Sequence, residues 1–202
     1  MKRIITISRE FGSGGRLIGK LAAERLGIAF YDKDLIKLLA NESGLAADYI
    51  RGIDEIFSAR VPLNFSAGDI FSYTAFSTET MSLQDHIHVI LGNIVNGIAE
   101  REACVIVGRC ADYILRDRGD CLNVFVHASP ASKLERITKE YKVPEKNALK
   151  EMDKIDKARA GYYKYYSGQP WGLARNYHLS LSSSTFGLEN CVEMIAKAAG
   201  IL

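Results

Sequence analysis

Residues 4–27, IITISREFGSGGRLIGKLAAERLG, read as a buried strand, a glycine-rich turn and an amphipathic helix in immediate succession. Ile4, Ile5 and Ile7 favour an extended buried run, which breaks at Ser8 into a segment where Gly12, Gly14 and Gly15 release the backbone from side-chain sterics. Leu17, Ile18, Leu21, Ala22 and Leu26 then recur at helical spacing, and Gly27 is placed to close the helix as its C-cap. Such a turn leaves amide N–H groups uncommitted at the positive end of a helix, where a polyphosphate suits them. A plain strand-to-helix turn with glycines for packing fits the same residues.

Working outward, the pattern G-x-x-x-x-G-K-[ST] of phosphate-binding loops is met in part. Gly15-Arg16 takes the place of Gly-Lys, Glu10 stands where the first glycine belongs, and Leu17 and Ile18 occupy the positions from which a hydroxyl holds the nucleotide's magnesium. Arg16 brings a permanent charge and a fork able to engage two phosphate oxygens. Lys20, one helical turn on, is a second cation.

A chain of 202 residues suffices for one α/β core with a small appended subdomain, because above ~150 residues about two thirds of the unfolded surface is buried. The formal charge of +2 is too balanced for bulk nucleic-acid binding. Cys104, Cys110, Cys121 and Cys191 form no CxxC pair and read as reduced, mostly buried thiols of a cytosolic protein. The apolar run after Lys2-Arg3 is too short for a signal peptide, and no segment approaches the ~20 apolar residues of a membrane span. The expectation is a soluble, cytoplasmic protein that binds neither membrane nor nucleic acid.

A second short strand at 28–31 ends at Asp32, which serves either as the N-cap of the next helix or as a ligand group at the carboxyl edge of a parallel sheet. Lys37 follows on that helix, placed to meet an anion or to stay solvated. A helix is expected over 46–57, a looser Ser/Thr/aromatic segment over 58–80 and a long helix over 81–102. The third strand, 104–107, runs into Gly108-Arg109 and then Asp112; the glycine permits close backbone approach, and Arg109 is read as a site residue or the partner of a carboxylate. Strand four is 122–127, with Ser129-Pro130 opening its helix as N-cap and N1. Strand five is 177–181 and the terminal helix 188–199. Strands separated by helices imply a parallel sheet with right-handed crossovers. Between strands four and five lies a basic, aromatic stretch whose charges read mostly as a solvated face. Asp156 and Arg159 stand out there, because i, i+3 spacing puts a carboxylate and a guanidinium side by side, able to read a base edge and a phosphate or simply to pair with each other.

Taken together, ITISREFGSGGRLIGKLAAERLG, FYDKDLI, VIVGR with Asp112, FVHASP before a basic helix, DKIDKARAGYYKYYSGQPWG and YHLSLSSSTFGLE resemble the cytidylate kinase-like branch of the nucleoside monophosphate kinases, over nearly the whole chain. The resemblance implies an α/β, three-layer P-loop kinase fold: a five-stranded parallel sheet (core 1–45, 81–135 and 177–202), a helical acceptor-binding insert at about 46–80, and a lid at about 136–176. It implies that Gly12, Ser13, Gly14, Gly15 and Arg16 cradle the phosphates of ATP, and that Asp32, Lys37, Arg109, Asp156 and Arg159 face the acceptor. Arg16, Arg109 and Arg159 would stabilise the transferring group. Its cofactors would be ATP as phosphoryl donor and Mg2+, its partners small-molecule nucleotides, and its state a monomer or homodimer. Val107 stands where cytidylate kinases carry an acidic residue before Gly-Arg, so the metal ligands are unknown, with Asp112 a candidate. The activity expected is transfer of the ATP γ-phosphoryl group to CMP, dCMP or a similar acceptor. The alternatives are a non-catalytic nucleotide-binding regulator or a kinase of another small phosphorylated acceptor.

Overall fold

The computed structural model describes residues 3–32, 35 and 83–201. The expected insert at 46–80, the helix at 46–57, the start of the long helix at 81 and Lys37 lie outside the described residues.

The strands are β1 Ile4–Arg9, β2 Ala29–Tyr31, β3 Cys104–Val107, β4 Cys121–His127 and β5 Leu179–Ser182, all parallel and ordered β2-β3-β1-β4-β5. The helices are α1 Gly15–Leu26, α2 Leu83–Arg101, α3 Ala111–Ile114, α4 Pro130–Lys139, α5 Glu145–Ser167 and α6 Ser183–Ile201. The chain leaves β1 for β2 on one side and passes through β3 to β4 on the other. The carboxyl end of β1 is therefore where the strand order reverses, the place at which open α/β sheets bind ligands.

Both faces of the sheet are covered, which is why its central strands are largely apolar, most fully β3, CVIV, buried at every position. Ile5, Ile7, Val105, Val107, Val124 and Val126 pack against α1 and α6. Ile4, Cys104, Ile106 and Cys121 turn the opposite way, onto α2 and α3. Ile4 pairs with Cys104 and Cys121, and Ile7 with Val107 and Val124. β3 ends at Val107, whereas β1 continues beside β4 to Arg9↔Val126, so the last two residues of β1 border an opening.

Local signals place the ends of several elements. Gly27 caps α1 in the left-handed region at φ 66°, and Ser129 accepts from the Ser132 N–H with Pro130 at the first helical position. Several boundaries shift by a residue or two, and two starts have a visible cause. β5 begins at Leu179 rather than 177, because the 3-10 turn Ala174–Asn176 takes up the approach and pairing starts at Val124↔Leu179. α6 begins at Ser183, but Gly187 at φ 77° and ψ 166° breaks it, so the continuous helix starts at the expected 188. All four cysteines are buried and none forms a disulfide. Among the described residues, no helix is long and apolar enough to cross a membrane.

Candidate active site

Residues 10–14 close the carboxyl end of β1 in a tight turn. Gly12 and Gly14 adopt φ +79° and +78°, and a Cβ on either would strike a neighbour: Ile137 and the Lys133 carbonyl at Gly12, Leu188 at Gly14. Ser13 braces the turn, its Oγ donating to the Glu10 carbonyl at 2.8 Å and accepting from the Gly15 N–H at 3.3 Å. Three helices grip the loop from outside. Ser183 at the start of α6 donates to the Ser13 carbonyl, Arg136 of α4 donates to the Gly12 carbonyl at 2.7 Å, and Asp156 of α5 accepts the Phe11 N–H at 2.7 Å. Among the described residues, no protein oxygen accepts from the N–H groups of Arg16 and Leu17, and the first turn of α1 carries no acidic side chain. These N–H groups present the positive end of α1 to whatever enters the mouth of the loop.

Arginines converge on that mouth. Arg16 is about as exposed as a surface side chain, at 60%, and its Nε pairs closely with Asp32, buried after the end of β2. Arg9 reaches the same carboxylate at 4.0 Å. Arg159 of α5 donates to the Arg9 carbonyl at 3.0 Å and pairs with Asp156 at 3.6 Å. Arg109 lies in a turn where Gly108, Arg109 and Cys110 adopt φ 77°, 60° and 54°. Two successive non-glycine residues in the left-handed region store about 1–3 kcal/mol each, a cost met at functional turns.

The electrostatics record the crowding. Burial, then Arg159, pull Arg9 down to about 9; Asp32 opposes this, and Arg109 and Arg16 add to it. Arg159 is lowered as well, chiefly by burial, with Arg109 contributing. Lys133 of α4 is buried between Glu10 at 3.1 Å and Asp156 at 3.3 Å. Burial pushes Asp156 up, against the pull of the Phe11 N–H, Arg159 and Lys133.

The structure thus brings Gly12, Ser13, Gly14, Gly15, Arg16, Asp32, Arg109, Asp156 and Arg159 into one region. Asp112 is placed elsewhere. Its buried carboxylate accepts from the Tyr163 hydroxyl at 2.8 Å and borders a cavity of about 340 Å³ shared with Arg118, Asn123, Arg175 and His178, which no loop residue lines. Sequence reasoning missed three residues. Arg9 had a signal, a cation at the last position of a buried strand directly before the glycines. Lys133 and Arg136 had only their i, i+3 spacing on α4; Arg136 was read as part of a solvated face, yet it holds the loop.

A protein-held magnesium does not fit the donor set. Leu17, Ile18 and Val107 offer no side-chain oxygen, Asp32 is engaged by two arginines, and no three His, Cys, Asp or Glu side chains converge among the described residues.

Comparison with known proteins gives the chain's relationships. The sequence model described as the cytidylate kinase-like family matches residues 4–185. A protein named cytidylate kinase from Archaeoglobus fulgidus is 26% identical over 206 residues, covering 98% of this chain and 94% of the other. A crystal structure of an uncharacterized protein from Eubacterium ventriosum superposes with a TM-score of 0.71 at 28% identity over 98% of each chain. Shikimate kinase from Bacteroides thetaiotaomicron, at 15% identity over 98% of each chain, superposes with a TM-score of 0.54, a likeness of fold alone. The architecture is the three-layer α/β fold of the P-loop kinases.

Proposed function

The chain belongs to the cytidylate kinase-like family, and on that premise we propose that it transfers the γ-phosphoryl group of ATP to a nucleoside monophosphate, CMP or dCMP first. One observation carries the reading: a glycine loop with open helix N–H groups and four arginines, Arg9, Arg16, Arg109 and Arg159, meet at the carboxyl end of β1. That is an excess of positive charge arranged for more than one phosphate.

In this reading Gly12 to Arg16 hold the donor's phosphates, and Arg109 and Arg159 take the acceptor's phosphate and the charge that spreads over the transferring group. No protein nucleophile or base is required, because an acceptor phosphate already presents anionic oxygens and needs only in-line positioning. Asp32 and Lys37 face the acceptor, Asp32 also orienting Arg16. Asp156 reads the base. Its two oxygens hold Phe11 N–H, Lys133 and, at 3.6 Å, Arg159, but a carboxylate has about four acceptor sites, leaving one for the cytosine amino group. Uracil would place a second acceptor against it. Magnesium bound to ATP would add counter-charge to the donor's phosphates, with no ligand cluster among the described residues to hold it.

ADP release measured with ATP, magnesium and a panel of nucleoside monophosphates tests the proposal. Turnover with CMP or dCMP above the other nucleotides is expected. ATP binding without turnover on any acceptor would favour a nucleotide-binding regulator, a reading supported by the absence of a metal-ligand cluster among the described residues. Turnover only on a non-nucleotide phosphorylated acceptor would place the chain elsewhere among kinases.

A further inference from the structure

Arg9 is built into the protein with unusual care for one side chain. It leaves the last position of β1, and two glycines from different elements clear its path. A Cβ on Gly15, in α1, would stand 2.5 Å from the Arg9 Cβ; a Cβ on Gly108, after β3, would fall on its Nη1. The guanidinium so admitted is four-fifths buried, and its ion pair with Asp32 spans 4.0 Å, while Arg16 holds the same carboxylate closely. Asp156, the other carboxylate nearby, is occupied by Phe11 N–H, Lys133 and Arg159. Burial first, then repulsion by Arg159 and by Arg109 and Arg16, brings Arg9 down to about 9. A buried cation this loosely compensated and this crowded by its own kind is stabilised by a multivalent anion that reaches it. Among the described residues, no cluster of side chains at this site would hold a divalent cation.

We propose that Arg9 replaces the protein-held metal as the counter-charge for the donor's polyphosphate, so that the chain binds a triphosphate without a divalent ion. A guanidinium entering from the strand side would engage phosphate oxygens in bidentate fashion while the open N–H groups of α1 engage others. Arg9 is thus a phosphate-binding residue additional to the glycine loop. This inference rests on the reading of the site as a triphosphate site, and concerns what neutralises the triphosphate there.

Calorimetric titration with ATP and with inorganic tripolyphosphate, in excess EDTA and in excess magnesium at constant ionic strength, tests it on the full chain and on Arg9→Met and Arg9→Lys. The wild type should bind both anions in EDTA as tightly as in magnesium, to within about threefold, and Arg9→Met should weaken binding in EDTA by roughly tenfold to a hundredfold. Arg9→Lys, which keeps the charge and loses the fork, should lie between them. Circular dichroism establishes that each variant is folded; should Arg9→Met not fold, a loss of about threefold or more in Arg9→Lys supports the inference and no loss overturns it. Wild-type binding that disappears in EDTA overturns the inference while leaving the kinase reading intact, as ADP release in magnesium would then show. Failure to bind either anion in either condition overturns both.

Discussion

Asp156 carries two demands at once. Its Oδ1 accepts the Phe11 N–H at 2.7 Å and its Oδ2 faces Lys133 at 3.3 Å, so removing it loosens the glycine loop and leaves a buried lysine with Glu10 as its remaining partner. Asp156→Ala should therefore reduce kcat/KM with every acceptor through a raised KM for ATP. If the same carboxylate also reads the base, kcat/KM for CMP should fall a further tenfold or so relative to UMP, since leaving a buried donor unpaired costs about 1–3 kcal/mol. Steady-state kinetics with both acceptors separate the two demands: a uniform loss with an unchanged CMP-to-UMP ratio assigns Asp156 to the loop alone. The exposed pairs on the same helix are a different matter. Lys157 and Asp153 lie 2.7 Å apart, but both are mostly solvated, and such a pair contributes at most a few tenths of a kcal/mol.

The elements around the site owe their placement to glycines of unlike kinds. At Gly15 the neighbours of an added Cβ are the Cβ atoms of Arg9 at 2.5 Å and Val126 at 3.1 Å, stem atoms of β1 and β4 that cannot swing aside. Gly15→Ala must shift the first turn of α1 off the strands, at about 1–3 kcal/mol of stability, and should weaken ATP binding with it. Gly161 lies exposed within α5, where an added Cβ meets nothing within 4 Å. Gly161→Ala should instead stabilise the protein by about 0.5–1 kcal/mol, through helix propensity. Thermal unfolding of the two variants, expected to move in opposite directions, checks both; a Gly15→Ala protein as stable as the wild type and equally able to bind ATP would contradict the packing argument.

At the scale of the whole molecule, Asp112 joins α3 to α5 across 51 residues of sequence through the Tyr163 hydroxyl. Burial raises its carboxyl to about 6, partly offset by the Tyr163 hydrogen bond and by the N–H groups of Asp112 and Tyr113. The unfolded chain releases this proton near pH 4, so between about pH 4 and 6 the folded state binds more protons than the unfolded state. The contribution to stability is complete below about pH 4 and is lost as pH rises through about 6, to a total of roughly 2–3 kcal/mol. Asp112→Asn keeps an acceptor for Tyr163 without the charge. Its melting temperature, measured from pH 4 to 7, should gain on that of the wild type by about 5 °C or more. A constant difference across that range would show that Asp112 titrates in the fold as it does in the unfolded chain.

The amino-acid sequence by itself determined the architecture. Continuous apolar runs such as 104–107 declare strands covered on both faces, helical periodicity declares what covers them, and alternating strands and helices require a parallel sheet. These are properties of neighbours a few residues apart, which a pattern records directly. The glycine loop, Arg16, Arg109 and the Asp156–Arg159 pair were legible for the same reason, as short motifs at strand and helix ends. What the tertiary structure alone decided is which charges meet. Asp156 finds the Phe11 N–H 145 residues away, Lys133 lies between Glu10 and Asp156, and Asp112 turns to Tyr163 instead of the loop. Arg9 has its signal at the end of β1, but that Gly15 and Gly108 stand aside for its side chain is a matter of tertiary packing. A buried ion's role depends on burial and on partners delivered by strand order, and neither is written in the spacing of the chain around it.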